Sequence, residues 1–243
     1  MTPGVILRST LFALFQAAVT LLFSLVALAT FPLKPVVRYR VVTTWSRLVV
    51  GAAERICGIR YRVLGAEQLP PPPYIVLSKH QSAWETLAFQ QIFPPQVWVV
   101  KRELLWIPFF GWGLAMLAPI AIDRGAGPRA LRHMLDQARD RLSQDFCIVI
   151  FPEGTRVAPG ERGEYHLGGA WLAARTATPV VPVAHNSGET WRRNAFLKYP
   201  GTITVSIGAP IETHGLAPAE INRRVEDWIE SEMRHIRGPQ QPT

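Results

Sequence analysis

A run of 21 residues near the amino terminus, from Leu11 to Phe31, is almost entirely apolar and most constrains how this chain can fold. Its polar members are only Gln16 and small hydroxyl side chains. About 20 such residues suffice to cross the hydrocarbon core of a bilayer as a helix. A helix on the surface of a soluble protein would need one polar face, which this run lacks. The sequence therefore predicts a membrane-bound helix that ends at Pro32 and Pro35.

The segment from Val36 to Cys57 is predicted to form a second helix, with arginines on one side and apolar residues on the others. Such a helix can lie in the membrane interface with its arginines towards the headgroups. Two arrangements stay open: the first helix spans the bilayer, or both helices enter one leaflet as a hairpin. If it spans, the positive-inside rule places the rest of the chain in the cytoplasm. The cations that follow the run outnumber those before it: Lys34, Arg38 and Arg40 against Arg8.

The net charge of +8 is concentrated in the same part of the chain. Residues 1–62 carry eight basic side chains and one acidic one, or +7, and the remaining 18 basic and 17 acidic side chains leave +1. A nucleic-acid-binding protein usually carries its basic residues on a folded domain, interleaved with aromatic ones. Here they surround the most apolar segment, which favours an anionic membrane surface as the partner and argues against nucleic acid.

Beyond residue 58, short apolar runs alternate with helical patterns, an order typical of an α/β sheet with helices on its faces. Strands are predicted near residues 60–65, 74–77, 97–101, 119–124, 147–151, 180–184 and 202–207. Helices are predicted over 127–143, 168–176 and 218–236. The chain thus divides into a membrane-anchoring helix pair, residues 1–58, and an α/β domain, residues 59–243.

A histidine and a glutamate follow the second predicted strand. The strand Tyr74–Leu77 leads to His80, and Glu85 comes five positions later. Within one helix that spacing would turn the two side chains about 140° apart. They can meet only if His80 lies on the turn and Glu85 on a helix that begins near Ala83. Because a carboxylate that holds one ring nitrogen leaves the other free to accept a proton, the pair predicts a general base.

Basic residues also occur where other predicted strands end. Lys101 and Arg124 end two strands, and a third strand runs into the turn that contains Glu153, Gly154, Thr155 and Arg156. Arginine presents a planar fork that matches phosphate, and lysine a point charge. Glycine lets the backbone of such a turn approach a ligand closely. An anion-binding site beside the base and ordinary surface ion pairs both fit this pattern.

Several other kinds of site lack support. The chain has no G-x-S-x-G elbow, no G-x-G-x-x-G and no Walker-type loop. Its Cys and His residues show no metal-ligand spacing, so no metal is expected. Cys57 and Cys147, far apart in apolar surroundings, are predicted to be buried thiols. His185 follows a strand, and a core or hydrogen-bonded role is favoured for it over a role in the site.

Four blocks of sequence resemble the glycerolipid acyltransferase family, in particular its bacterial 1-acyl-sn-glycerol-3-phosphate acyltransferases. The blocks are SKHQSAWET, then KREL with PFFGW and PIAIDR, then FPEGTR, and then VVPVAHN, in the family's order between Leu64 and Gly208. The resemblance implies a mixed central sheet flanked by helices, on a membrane-bound N-terminal helix pair. It also implies transfer of a fatty acyl chain from acyl-CoA or acyl carrier protein to lysophosphatidic acid. The product would be phosphatidic acid, for phospholipid synthesis, and no cofactor is expected.

Residue by residue, the resemblance makes His80 the base that deprotonates the acceptor hydroxyl and Glu85 the residue that orients it. The family usually has aspartate at the second position, and a subset of relatives resembles this chain in carrying glutamate. By similarity, the acceptor phosphate is held by Arg156, Arg124 and Lys101. The acceptor pocket is shaped by Glu153, Gly154 and Thr155.

Two alternatives stay open. One is acyl transfer to another acceptor, such as glycerol 3-phosphate, a lysophospholipid or a lyso-ornithine lipid. The other is a non-catalytic membrane-bound lipid carrier, which needs the anchor and the apolar segment Leu104–Leu117 but not a histidine and a carboxylate in register. For the enzyme, the expected location is the inner membrane with the catalytic domain on the cytoplasmic side.

Overall fold

A computed structural model describes residues 3–93, 95–123, 125 and 127–236. Among the predicted site residues, Arg124 lies outside these ranges. The helices are α1 (Pro3–Ala29), α2 (Pro35–Val42), α3 (Thr44–Cys57), α4 (Trp84–Ile92), α5 (Phe110–Met116), α6 (Pro128–Leu142), α7 (Gly168–Thr176), α8 (Ser187–Thr190) and α9 (Pro218–Ile236). The strands are β1 (Ile59–Leu64), β2 (Ile75–Ser78), β3 (Gln96–Lys101), β4 (Ile120–Ile122), β5 (Cys147–Ile150), β6 (Val180–His185) and β7 (Gly201–Ile207).

The strands form a mixed sheet in the order β1-β7-β6-β2-β5-β3-β4. Paired strands run parallel except for β6 and β7, which are antiparallel. At the centre, β2, β5 and β6 are buried throughout, as continuous apolar runs predict for strands covered on both faces. The parallel block from β6 to β4 places its carboxyl ends along one edge of the sheet. The segments that carry His80, Lys101 and Glu153 meet at this edge.

Helices flank the sheet in two groups. One contains α3 and α4, which contact each other, and the other contains α6, α7 and α9, which form contacts in that order. The predicted fold class, a mixed α/β sheet flanked by helices, is confirmed. Cys57 and Cys147 are both free and buried, as predicted.

The long apolar helix predicted near the amino terminus is present as α1. By length and composition it could cross a membrane, and no other helix in the described ranges meets that criterion. It packs on α3 and α5, and its buried residues are spread from Ser9 and Phe12 near one end to Ser24 and Ala27 near the other. Its opposite side is exposed and apolar, and carries Leu7, Leu11, Leu14, Leu21, Leu22, Leu25 and Leu28. Contacts near both ends indicate that α1 lies along the protein.

The second predicted helix, over residues 36–57, is divided into two. α2 ends at Val42 and α3 begins at Thr44. The prediction of a single helix, which the continuous pattern favoured, is therefore wrong. α3 is followed by Gly58, whose φ of +72° is the left-handed conformation common just after a helix. That residues 1–58 form a separate membrane-anchoring unit stays a prediction.

Candidate active site

His80 and Glu85 meet at the carboxyl end of β2. β2 ends at Ser78 and α4 begins at Trp84, so His80 lies on the turn and Glu85 in the first turn of the helix. His80 Nδ1 and Glu85 Oε1 are 2.8 Å apart. The strand–turn–helix geometry predicted from the sequence is therefore confirmed, while the catalytic roles of the two residues stay a prediction.

The buried carboxylate of Glu85 is held by several hydrogen-bond donors besides His80. Oε1 accepts the backbone N–H groups of Gln81 at 2.9 Å and Ser82 at 2.8 Å. Oε2 accepts the hydroxyl groups of Ser82 at 2.5 Å and Ser187 at 2.9 Å. Because these donors are neutral, they stabilise the carboxylate and fix its orientation without adding a positive charge.

The pKa of Glu85 is set by opposing effects. Burial would raise it, but the imidazoles of His185 and His80 and the hydroxyl of Ser82 hold the pKa of this carboxyl well below its usual range. Burial also lowers the pKa of His185, whose Nε2 donates to the carbonyl of Lys79 at 2.8 Å. His185 is thus a buried, hydrogen-bonded histidine that braces the turn, as the sequence favoured.

The ring of His80 is also fixed through its face. It stacks on the ring of Phe151, with centroids 3.9 Å apart and planes 16° from parallel. The His80 side chain is 14% exposed and lines a cavity. Within the described residues its Nε2 makes no hydrogen bond. The ring is therefore held by Nδ1 and by stacking, and Nε2 is left for a group that enters the cavity.

Lys79, the residue before His80, forms a second buried pair, with Glu153. Its Nζ lies 2.7 Å from Glu153 Oε1 and 2.9 Å from Glu230 Oε1 on α9. The other oxygen of Glu153 accepts the backbone N–H of His80 at 3.0 Å. The Glu153 carboxylate is thus inside the protein. Its predicted part in shaping the acceptor pocket stays a prediction, and it can act there only through the turn that it fixes.

The turn after β5 is hydrogen-bonded to His80. The N–H of Val157 donates to the carbonyl of His80 at 2.8 Å. Gly154 has a φ of +65°, a backbone conformation in which a residue with a side chain would be strained. Gly154, Thr155 and Arg156 all line the cavity that His80 lines. The sequence prediction that this turn lies beside the base therefore agrees with the fold.

Two of the three predicted cations are at this cavity. Lys101, the last residue of β3, and Arg156 both line its wall. Neither forms an ion pair with another described residue, and Nε of Arg156 is buried without a hydrogen-bond partner among them. A guanidinium with unused donors at a cavity is suited to an anionic ligand. The third cation, Arg124, falls outside the described residues.

The cavity has a volume of about 800 Å³ and extends from His80 to α1. Its walls are mostly apolar and include Phe23, Val42, Trp45, Leu87, Leu104, Leu114, Leu117 and Met134. Helix α1 also contributes Thr20, whose hydroxyl accepts the indole N–H of Trp45 at 3.1 Å. The cavity thus joins an apolar region, suited to a hydrocarbon chain, to a cationic region beside a histidine.

Several residues that build the site were not singled out from the sequence. Ser82 had a detectable signal, because Ser82-Ala83-Trp84-Glu85 matches the capping-box pattern in which the acidic side chain accepts an N–H of the first residue. Ser187 and Phe151 had none, since they reach the site from distant segments. Within the described residues, no three His, Cys, Asp or Glu side chains come together as a metal site would require.

Known proteins resemble this chain in sequence. Residues 60–186 match the family model described as Acyltransferase. The 1-acyl-sn-glycerol-3-phosphate acyltransferase of Pseudomonas aeruginosa is 42% identical over 240 residues, which cover 97% of this chain and 93% of that protein. The mouse 1-acyl-sn-glycerol-3-phosphate acyltransferase alpha is 33% identical over 184 residues, which cover 72% of this chain and 63% of the mouse protein.

A solved structure has the same fold. It is the crystal structure of the 1-acyl-sn-glycerophosphate (LPA) acyltransferase PlsC from Thermotoga maritima, with a TM-score of 0.76 and 20% identity. The match covers 98% of this chain and 97% of that one. The family match spans just over half of the chain, and the Pseudomonas protein is similar along nearly all of it. This chain therefore belongs to the acyltransferase family and is an enzyme of its 1-acyl-sn-glycerol-3-phosphate acyltransferase group.

Proposed function

We propose that this enzyme transfers a fatty acyl chain from an acyl thioester, either acyl-CoA or acyl carrier protein, to the sn-2 hydroxyl of lysophosphatidic acid. The product is phosphatidic acid. The observation that carries the proposal is the place of the His80–Glu85 pair, on the wall of a cavity that is apolar towards α1 and cationic beside the histidine. The names of the Pseudomonas and mouse relatives support this acceptor.

In the proposed reaction, the oxygen of the acceptor hydroxyl attacks the thioester carbonyl while His80 Nε2 accepts the proton of that hydroxyl. The tetrahedral intermediate then collapses, the carbon–sulfur bond breaks, and the imidazolium returns the proton to the thiolate. The ester and the free thiol are released without an acyl-enzyme. General-base assistance of this kind typically contributes about 10²–10⁴-fold to the rate.

Glu85 is proposed to orient His80 and to stabilise the imidazolium. The 2.8 Å contact to Nδ1 fixes the proton on that nitrogen, so that Nε2 is the acceptor. The longer side chain of glutamate is accommodated because the helix begins right after the turn and the carboxylate folds back onto the N–H groups of Gln81 and Ser82. Glutamate therefore reaches the position that orienting the imidazole requires.

The two ends of the cavity fit the two parts of the substrates. Lys101 and Arg156, with Arg124 as predicted from the sequence, are proposed to hold the acceptor phosphate. The short C2–C3–O link of the acceptor keeps its phosphate close to its sn-2 hydroxyl, so the cations must lie near His80. The apolar walls that include Phe23 and Trp45 suit a fatty acyl chain.

The exposed apolar side of α1 is proposed to bind the protein to the membrane. The segment between β3 and β4 adds exposed aromatic side chains, Trp106, Phe109, Phe110 and Trp112. Since α1 packs on α3 and α5, insertion of this surface into one leaflet fits the contacts better than a helix that leaves the protein to span. We also propose the inner membrane, with the active site on the cytoplasmic side, as the location, because the anionic surface of that leaflet would attract the basic residues that flank α1.

Product analysis tests the proposed function. Purified protein is given labelled acyl-CoA or acyl carrier protein with lysophosphatidic acid, glycerol 3-phosphate, a lysophospholipid or a lyso-ornithine lipid. We expect labelled phosphatidic acid as the main product, identified by mass spectrometry, and the comparison of donors to show which thioester is used. A product formed from another acceptor, with lysophosphatidic acid left unchanged, would contradict the proposed acceptor.

A further inference from the structure

Arg193 reaches the active site from the loop between α8 and β7, far in sequence from the other cations. Together with its neighbour Asn194, it lines the same cavity as His80 and Arg156. It follows neither a strand end nor a recognised motif. Its place depends on the loop that carries it.

One peptide group connects Arg193 to the catalytic turn. Nη1 of Arg193 donates to the carbonyl of Arg156 at 2.9 Å. The N–H of the same peptide group, which belongs to Val157, donates to the carbonyl of His80 at 2.8 Å. The guanidinium of Arg193 is therefore separated from the backbone of His80 by a single peptide unit.

Most donors of Arg193 make no hydrogen bond with the described residues. A guanidinium carries five N–H groups, and the bond to Arg156 uses one. Arg193 forms no ion pair with any described residue and is exposed. Its neighbour Arg192 differs, because its guanidinium lies over the ring of Tyr199 at 5.5 Å. Of the two adjacent arginines, Arg193 is thus the one placed to bind an anion in the cavity.

The loop is held at both ends by α1. The ring of Trp191 packs edge-on against Phe12, with centroids 5.2 Å apart. The backbone N–H of Lys198 donates to the Ser9 hydroxyl at 2.9 Å, and its Nζ donates back to the carbonyl of Ala195 at 2.8 Å. A loop fixed in this way presents its side chain with little further ordering cost, which favours binding.

We propose that Arg193 is a second guanidinium for the phosphate of the acceptor and binds it together with Arg156. This rests on the proposed function. Two guanidinium groups on one phosphate give directional, charge-assisted hydrogen bonds, whereas a single exposed arginine beside the cavity would not fix its orientation. The membrane-bound helix α1 therefore contributes indirectly to acceptor binding, through the loop that it holds.

Steady-state kinetics of Arg193→Ala test the proposal. We expect the KM for lysophosphatidic acid to rise about tenfold to hundredfold, the range for hydrogen bonds to a charged group, with kcat nearly unchanged. The KM for the acyl thioester should not change, and Arg193→Lys should recover part of the loss. An unchanged KM for lysophosphatidic acid, or a rise confined to the KM for the thioester, would overturn the proposal.

Two matched variants separate this inference from the proposed function. Arg192→Ala removes the adjacent arginine and should leave both KM values as they are. Arg156→Ala should raise the KM for lysophosphatidic acid. If Arg156→Ala raises it and Arg193→Ala does not, the inference about Arg193 fails and the acceptor assignment stands. If lysophosphatidic acid is not acylated by the native enzyme, the proposed function fails first.

Discussion

Glu85 and Glu153 are two buried glutamates beside the same turn, but their charges are compensated in different ways. Glu153 is paired with the ammonium group of Lys79. Glu85 is held by backbone N–H groups, two serine hydroxyls and the imidazole of His80. The side chains of two consecutive residues thus bind the two carboxylates: Lys79 binds Glu153, and His80 binds Glu85.

The difference separates a carboxylate that holds the fold from one that can take part in a reaction. A lysine partner supplies a charge that balances Glu153 and ties the turn to α9 through Glu230. An imidazole partner can be neutral or charged, so the His80–Glu85 pair can gain a proton during the reaction and lose it again. The type of partner, more than the burial of the acid, is the reason to propose the His80–Glu85 pair as the catalytic one.

Removal of His80 should have the largest effect of the variants proposed here, a loss of activity. A small loss would contradict the distinction between the two pairs. His80→Ala leaves Glu85 in place but removes the proposed proton acceptor. We expect kcat to fall about 10²–10⁴-fold, measured as phosphatidic acid formed per enzyme, with an unchanged circular dichroism spectrum. His133→Ala, an exposed histidine on α6, is the control. Substantial turnover by folded His80→Ala would remove the general-base role.

Removal of Lys79 should act on stability. Lys79→Met leaves the buried carboxylate of Glu153 without its cation, which typically costs about 3–5 kcal/mol in the free energy of unfolding. The measurement is denaturant unfolding followed by intrinsic fluorescence.

The matched control for Lys79→Met is Arg162→Met. It removes the surface pair of Arg162 with Glu226, in which the arginine side chain is 63% exposed. Such pairs contribute about 0–1 kcal/mol. If the two variants were equally stable, the Lys79–Glu153 pair would not stabilise the fold in the way proposed here.

The smallest expected effect is the pH dependence of stability that Glu85 contributes. Since its pKa is lowered in the folded state, its stabilising effect is present above the unfolded pKa of about 4.3 and is lost as the pH falls through the folded value. Glu85→Gln should lower the free energy of unfolding by about 1.5–3 kcal/mol near pH 7, as for hydrogen bonds to a charged group. The gap between this variant and the native enzyme should narrow below about pH 4.

Glu164→Gln, with a side chain that is 84% exposed, serves as the control for Glu85→Gln and should not show this narrowing. A gap between Glu85→Gln and the native enzyme that is constant from neutral pH into the acid range would mean that Glu85 is not held as a carboxylate.

The local features of the site could be predicted from the sequence. Apolar runs of strand length predicted the sheet, and polar residues at their ends predicted the edge at which the candidate site lies. The turn at His80 and the helix that carries Glu85 follow from one short stretch, because the two residues must lie on different elements to meet. Ser82 was within reach of the same reasoning, since it is a local capping residue.

Long-range pairs could not be predicted in this way. Ser187 reaches Glu85 across 102 positions, and Lys79 reaches Glu230 across 151. These pairs depend on strand order, and one sequence does not encode strand order in any local pattern. The break at Thr43 was missed for another reason, because the helical pattern continues through it. Arg193 was missed because its loop is placed by α1.

The share of the cavity wall that α1 supplies also limits how this protein can be re-engineered. A simple anchor could be exchanged for any apolar helix of equal length, since its only task would be attachment. Replacement of α1 would also remove Thr20, Phe23 and Ser24 from the cavity and Phe12 from beneath the loop of Arg193. A chimera with a foreign apolar helix could therefore still bind the membrane, as we propose for α1, but it would lose the shape of its substrate site.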